Sequence, residues 1–169
     1  MNASNEAGSP ATAAVSELGQ RLKGKYLTFR LEDEIYGVGI LCVREIIEPL
    51  DITPVPLTSP SVCGVINLRG RVIPLVDLRQ EFAMSPTEVA DQTVIIVLQY
   101  HQKTFGILVD EVLEVLLLEE KQIAPPPPLI GGNAGLHALL GTGRVDERVI
   151  FLLELSSVIS GEDTSSFAL

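Results

Sequence analysis

The sequence contains no tryptophan, and aromatic residues make up only 5% of its 169 residues. Its two cysteines, Cys42 and Cys63, do not have metal-ligand spacing, so we expect small apolar residues of the protein interior. No apolar run approaches the roughly 20 residues that span a bilayer. The N-terminus also lacks the basic start and apolar segment of a signal peptide. These absences predict a cytoplasmic protein without direct membrane insertion.

Groups for catalysis or metal binding are equally scarce. The two histidines are far apart, His101 in a predicted turn and His137 near a late strand, which argues against a metal site or a catalytic triad. The glycine-containing stretch 64–70 does not end in the Gly-Lys-Ser/Thr of a phosphate-binding loop. Glu111 and Glu114 form a paired-carboxylate candidate, but a solvated strand face explains them better. We therefore expect no enzyme, no cofactor and no metal.

Positive charge is also limited. The formal net charge is -10 and the isoelectric point is about 4.6, and a strongly acidic chain repels the phosphates of nucleic acids. Most of the lysine and arginine residues lie before residue 91. Any basic surface is therefore expected in the first half of the chain.

What the sequence does have is aliphatic side chains, and 46% of its residues are hydrophobic. A chain of this length buries about 70% of its unfolded surface in one domain or in two small subdomains. Residues 1–22 and 161–169 have the polar, small-residue composition of flexible tails, although 15–22 is compatible with a short helix. The ordered domain is expected to cover residues 23–160.

The stretch Gly64–Arg79 predicts a tight β-hairpin. Two apolar runs, 65–68 and 72–78, flank the turn Arg69-Gly70-Arg71. Pro74 has no N–H for a sheet ladder, so its strand is expected at a sheet edge or at a bulge. Asp77 is expected at a helix start, as the N-cap or as an acid of the first turn.

The two halves of the chain resemble each other. Residues 36–46 align with 105–115, and 72–78 align with 149–155. A duplication of several short strands indicates two similar small β-barrels rather than a solenoid. We therefore predict two subdomains, roughly 36–90 and 93–150, with exchange of the terminal strands left open. Gly37 and Gly106 match in the repeat, and each marks either a β-bulge or a close approach by another backbone.

A candidate interaction surface follows from the hairpin. Glu45 is one of the few acids placed to meet Arg69 or Arg71. A pair with Arg69 would be either an exposed pair of little consequence or a bidentate pair that orients a binding site. Val43 and Ile46 match Val112 and Val115 in the repeat. From the pattern alone these four residues line either the barrel cores or an apolar groove between the barrels.

At these residues the chain resembles the CheW-like coupling proteins of bacterial chemosensory arrays. The resemblance runs from about residue 25 to 159, and its most specific part is the Gly64–Arg79 stretch, followed by 105–115. It implies a mainly all-β fold of two five-stranded SH3-like barrels with a few short helices. It also implies a non-catalytic adaptor, with no room in this chain for a fused receiver or kinase domain.

The resemblance further implies two partners, the regulatory domain of the histidine kinase CheA and the cytoplasmic tip of methyl-accepting chemotaxis receptors, at arrays on the inner face of the membrane. The residues that match partner-binding positions of the family are Val43, Glu45, Ile46, Gly64, Asn67, Arg69, Gly106, Val112 and Val115. The alternative from another class is a small-barrel protein that binds RNA or a small molecule. Such RNA-binding barrels usually have a basic face with exposed aromatic residues, which this composition does not favour.

Overall fold

We describe the protein from a computed structural model, which covers residues 10–55, 62–82, 84–85, 88–127 and 139–158. His137, the end of the proline run with the glycine-rich segment after it, and the C-terminal segment 161–169 lie outside these ranges. Among the described helices, none is long and apolar enough to cross a membrane.

Strands dominate the described residues, and the helices are short. The strands are β1 (Gly24–Leu31), β2 (Glu34–Gly39), β3 (Val43–Ile47), β4 (Val62–Leu68), β5 (Arg71–Asp77), β6 (Val94–Tyr100), β7 (Lys103–Val109), β8 (Glu111–Leu118), β9 (Ile123–Ala124), β10 (Leu139–Val145) and β11 (Arg148–Leu153). The α-helices are α1 (Pro10–Leu22), α2 (Leu78–Glu81) and α3 (Leu155–Val158), and 3-10 turns cover Ile40–Cys42 and Glu120–Gln122. This confirms the prediction of a mainly β protein with a few short helices.

The strands form two sheets. Sheet A has the order β8-β1-β2-β11-β10-β9, and sheet B has the order β3-β6-β7-β5-β4. Sheet B has the predicted five strands, whereas the two-residue β9 adds a sixth strand to sheet A. Sheet B curls on itself, because groups from strands at its opposite edges meet: Glu45 of β3 contacts Arg69, which follows β4.

The sheets do not follow the two repeated segments of the sequence. Sheet B takes its strands from residues 43–109, and sheet A takes β1 and β2 from one half of the chain and β8 to β11 from the other. The exchange occurs at the two parallel pairings, where Leu75 lies opposite Gly106 and Leu152 lies opposite Gly37. These two pairs are equivalent in the sequence repeat. The segments predicted as 36–90 and 93–150 are therefore interleaved in the fold.

One hydrophobic cluster joins the sheets, and each sheet has a smaller cluster of its own. Phe29 and Val38 of sheet A pack in the shared cluster with Leu98 and Phe105 of sheet B, and all four are fully buried. Burial of this aliphatic surface is the main stabilising contribution, since each large apolar side chain contributes about 1.5–3 kcal/mol.

Residues 10–22 form α1 and not a flexible tail, and the short helix that the sequence left open at 15–22 is part of it. Leu18 and Leu22, one helical turn apart, pack on the cluster of sheet A. The Ser16 hydroxyl and the Gln20 amide donate hydrogen bonds to the Glu120 carboxylate at 3.0 and 2.6 Å. These apolar and polar contacts hold the helix against the sheet.

Pro74 does not lie at a sheet edge, and the bulge alternative of the prediction is the one that holds, because β4 has a register shift directly before Gly64, opposite Leu75 of the Pro74 strand. Its strand β5 lies between β4 and β7, and Pro74 faces Val65 in regular register. Both backbone groups of Val65 bond Thr53 at 2.9 Å instead of β5. The parallel pairing with β7 begins only at Leu75, so no ladder bond requires an N–H at position 74.

The bulge interpretation of Gly37 and Gly106 is wrong, because both residues lie in regular register with the neighbouring strand. A Cβ atom at Gly106 would lie 2.9 Å from the Ile95 Cγ2 and 3.1 Å from the Leu75 Cδ1. At Gly37 a Cβ would meet Ile150 at 3.3 Å. Close packing of side chains from adjacent strands therefore explains the two glycines.

Candidate functional site

The β4–β5 hairpin presents Arg69 at its tip. Arg69 and Gly70 have φ values of 52° and 85°, which place both turn residues in the left-handed region typical of two-residue hairpins. The Asn67 side chain stabilises this turn by accepting a hydrogen bond from the Gly70 N–H at 2.9 Å. Asn67 therefore acts by holding the turn, and the turn fixes the direction of the Arg69 side chain.

Arg69 forms the predicted pair with Glu45. Its two terminal nitrogens donate to the two carboxylate oxygens of Glu45 at 2.8 and 2.7 Å, which is a bidentate arrangement. These hydrogen bonds lower the pKa of Glu45 below its ordinary value and raise the pKa of Arg69, so both groups stay charged at neutral pH. The Arg69 side chain is 72% exposed. An exposed pair contributes little to folding, whereas its fixed geometry suits recognition of another molecule.

The four valine and isoleucine candidates divide into two kinds. Val43 and Val112 are half-buried and pack on the cluster shared by the two sheets. Ile46 and Val115 are 44% and 48% exposed, so neither is a core residue. Val43 and Val112 therefore belong to the core shared by the two sheets, and Ile46 and Val115 lie at the surface.

The two candidate glycines, Gly64 and Gly106, lie in the protein interior and permit close packing under the surface residues of the site. Gly64 is buried in β4 with φ of 150°, and a Cβ there would collide with the backbone carbonyl of Thr53. Gly106 is enclosed by the side chains of its neighbouring strands. The structure thus brings Glu45, Asn67 and Arg69 together at the surface and leaves both glycines in packing roles.

Sequence reasoning missed two exposed apolar side chains elsewhere on the surface. Leu41, in the 3-10 turn before β3, is 92% exposed, and Leu117 of β8 is 59% exposed. The available signal was the unbroken apolar run of residues 115–118. On the edge strand β8 such a run cannot be buried on both faces, so part of it remains at the surface.

A second group that the sequence did not indicate is an ion-pair network at the junction of the sheets. Asp110 is the single residue between β7 and β8, and it is 9% exposed. Its carboxylate accepts hydrogen bonds from the Arg79 Nε at 3.1 Å and Nη2 at 2.7 Å, and from the Glu32 N–H at 2.7 Å. Arg30 approaches the same carboxylate at 3.9 Å. The network fixes how one sheet is oriented on the other.

The described residues do not have the groups of a catalytic centre. They contain no cluster of three or more potential metal-binding side chains. Burial, with a contribution from the charge of Asp77, raises the pKa of the Cys63 thiol to about 11, and burial also raises the pKa of Cys42. Neither thiol is therefore an activated nucleophile at neutral pH.

Comparisons with known proteins agree with this arrangement. Residues 25–163 match the family model described as the CheW-like domain. The chain is 37% identical over 152 residues to the chemotaxis protein CheW of Klebsiella aerogenes, covering 89% of this chain and 91% of that protein. It is 28% identical over 141 residues to the protein FrzA of Myxococcus xanthus, covering 82% and 87%.

A solved structure is similar throughout. The crystal structure of the scaffolding protein TtCheW from Thermoanaerobacter tengcongensis superposes with a TM-score of 0.74 at 29% identity, covering 85% of this chain and 97% of that one. This similarity confirms the prediction of two SH3-like β subdomains.

Proposed function

The chain belongs to the CheW-like family, and on that premise we propose which partners it couples and through which residues. Members of this family are non-catalytic scaffolds, and the chain is a chemotaxis coupling adaptor. The proposed partners are the regulatory domain of the histidine kinase CheA and the cytoplasmic tip of methyl-accepting chemotaxis receptors. The proposed location is the cytoplasm, at receptor arrays on the inner face of the membrane.

The observation that carries the proposal is the oriented Arg69 beside exposed apolar residues. The guanidinium is held in place because it donates two hydrogen bonds to the Glu45 carboxylate, and Ile46, the next residue of β3, is 44% exposed. Interfaces of modest size typically combine an arginine with nearby apolar side chains as their strongest contacts. Val115, the repeat equivalent of Ile46, offers a second apolar contact on β8.

We further propose that a receptor helix docks by an apolar stripe along the lining formed by Val43, Ile46, Val112 and Val115. Helices that bind grooves present apolar residues at intervals of three and four positions. Val43 and Val112 form the half-buried part of this lining, and Ile46 and Val115 form the exposed part. The kinase contacts are assigned to the ends of the barrels, because the kinase regulatory domain has similar barrels in this family.

The test is capture of a CheA regulatory domain and of a receptor hairpin fragment by the purified protein. Arg69→Glu places two carboxylates opposite each other and is expected to lose capture of at least one partner. Lys121→Glu is the matched control, since Lys121 is exposed and makes no hydrogen bond or ion pair with another described residue. If Arg69→Glu captures both partners as well as the wild type does, the assignment of Arg69 and Glu45 to the site is wrong.

A further inference from the structure

A cavity of about 270 Å³ lies beside the Glu45–Arg69 pair on sheet B. Three arginines, Arg44, Arg69 and Arg71, line it, and all three are exposed. The lining also includes Ile73 and Val97, which are buried and form an apolar floor. The cavity therefore combines a positively charged mouth with an apolar base.

The charges around this cavity are not balanced by the described residues. Glu45 is its single carboxylate, and both oxygens are occupied by Arg69. Arg71 makes one long hydrogen bond, 3.4 Å, to the Thr104 hydroxyl. Arg44 makes no hydrogen bond or ion pair with another residue that the structure describes. Two guanidinium groups are thus available for an anion, in a chain whose net charge is -10.

The second copy of the sequence repeat indicates whether the fold itself requires these arginines. The positions equivalent to Arg44 and Arg69 in the second repeat are Leu113 and Asp146. Only Arg71 has an arginine equivalent, Arg148, and that residue approaches Glu114 at 3.9 Å. The same strands therefore fold without arginine at two of the three positions. The basic cluster on sheet B is not a requirement of the fold.

We propose that this cavity binds an acidic segment of the partner protein, with Arg44 and Arg71 receiving two neighbouring Asp or Glu side chains. This inference rests on the proposed function. It specifies that the receptor segment next to Arg69 is acidic. Two carboxylates match the two available guanidinium groups, each of which can donate two parallel hydrogen bonds to a carboxylate. The apolar floor of Ile73 and Val97 suits the methylene groups of such side chains, and a free phosphate has no group that would use it.

The experiment is an NMR titration of the full-length protein with the peptide hexaglutamate, following the Arg Nε–H signals. Arg44 and Arg71 signals are expected to shift, and binding by Arg44→Gln/Arg71→Gln is expected to be roughly fivefold weaker, because each exposed pair contributes modestly. The control Lys121→Gln/Arg144→Gln removes the same charge elsewhere and is expected to bind as the wild type does. A circular dichroism melt establishes that both double variants are folded.

The outcomes of this experiment separate the inference from the proposed function. Equal binding of hexaglutamate by both double variants, or no shift of the two signals in the wild type, overturns the proposal. Inorganic phosphate that binds as tightly as the peptide also overturns it, since the cavity is then a simple anion site. A wild type that captures the receptor fragment but does not bind hexaglutamate retains the proposed function and loses only this inference. Peptide binding without receptor capture would instead refute the proposed function.

Discussion

Removal of the Asp110 carboxylate is expected to destabilise the protein more than any other single change of a charged residue described above. Asp110 lies where the chain leaves sheet B and enters sheet A, and its backbone N–H donates to the Arg30 carbonyl at 3.1 Å. Its side chain bonds Arg79 twice and the Glu32 N–H once. An alanine at this position would break three hydrogen bonds and leave the Arg79 charge without its main partner.

The expected loss of stability depends on how deeply the Asp110–Arg79 ion pair is buried. The side chains of Asp110 and Arg79 are 10% and 20% exposed. Breaking a fully buried ion pair typically costs about 3–5 kcal/mol. Arg79 keeps some contact with water and a 3.5 Å contact with Glu32, so we expect Asp110→Ala to lower the free energy of unfolding by about 2–4 kcal/mol. Urea unfolding at pH 7, monitored by circular dichroism, measures this difference.

The pH dependence of the stability tests the role of the Asp110 carboxylate independently. Burial acts to raise the pKa of Asp110, but the hydrogen bonds from Arg79 and the Glu32 N–H, with the nearby arginine charges, outweigh it and lower the pKa. A lowered folded-state pKa stabilises the protein at pH values above the unfolded-state pKa, about 3.9. The stability difference between wild type and Asp110→Asn is therefore expected to be constant near neutrality and to vanish as the pH falls through the folded-state pKa.

The matched control is Asp91→Asn, because Asp91 is exposed and bonds no other described side chain. Its stability is expected to equal that of the wild type at every pH. Surface substitutions typically change the free energy of unfolding by about 0.5 kcal/mol or less. An Asp110→Ala variant whose free energy of unfolding lies that close to the wild-type value would refute the reasoning. A stability difference for Asp110→Asn that does not change below pH 4 would refute it equally.

The remaining predictions concern packing, the surface pair and the N-terminal helix. Gly106→Ala is expected to lower the free energy of unfolding by about 1–3 kcal/mol, because its Cβ would lie 2.9 Å from an isoleucine methyl group. Gly39→Ala, with open space at its Cβ, is expected to change urea unfolding little. Glu45→Gln is expected to leave the melting temperature unchanged and to weaken receptor capture, since the arginine it holds loses its orientation; unchanged capture would contradict this. Gly19→Val is expected to detach α1, because a Cβ there would lie 2.7 Å from the Glu120 Cγ, and faster amide hydrogen exchange in residues 10–22 would report it.

The hairpin could be predicted from the sequence because it depends on a short-range pattern, whereas the Glu45–Arg69 pair joins residues 24 positions apart at opposite edges of sheet B. A turn glycine between two apolar runs specifies the β4–β5 hairpin, and the same pattern places Arg69 at its tip. The helix cap at Asp77 is also local, and its side chain accepts the Arg79 N–H at 3.1 Å as predicted. The repeat predicted the equivalence of strands correctly.

The features that were not predicted depend on tertiary contacts. No local pattern shows that β5 pairs with β7 and that β11 pairs with β2, so the subdomain boundaries could not be drawn from the repeat. Asp110 sits in a sequence of ordinary strand character, and its role becomes visible only when Arg79 is brought beside it. The N-terminal segment has weak helix signals, and α1 is stabilised by packing on sheet A.

The interleaved pairing has a consequence for how the chain folds during synthesis. In the native fold β5 pairs with β7 at Gly106. The strand β2 contains the equivalent glycine, Gly37, and leaves the ribosome before β7 does. Until β7 is made, β5 has β2 as an available partner with the same spacing of side chains. That non-native pairing would have to open before either sheet is completed. Because the strands are duplicated, a non-native β5–β2 pairing competes with the native β5–β7 pairing. Slow exchange between the two pairings is the expected kinetic signature.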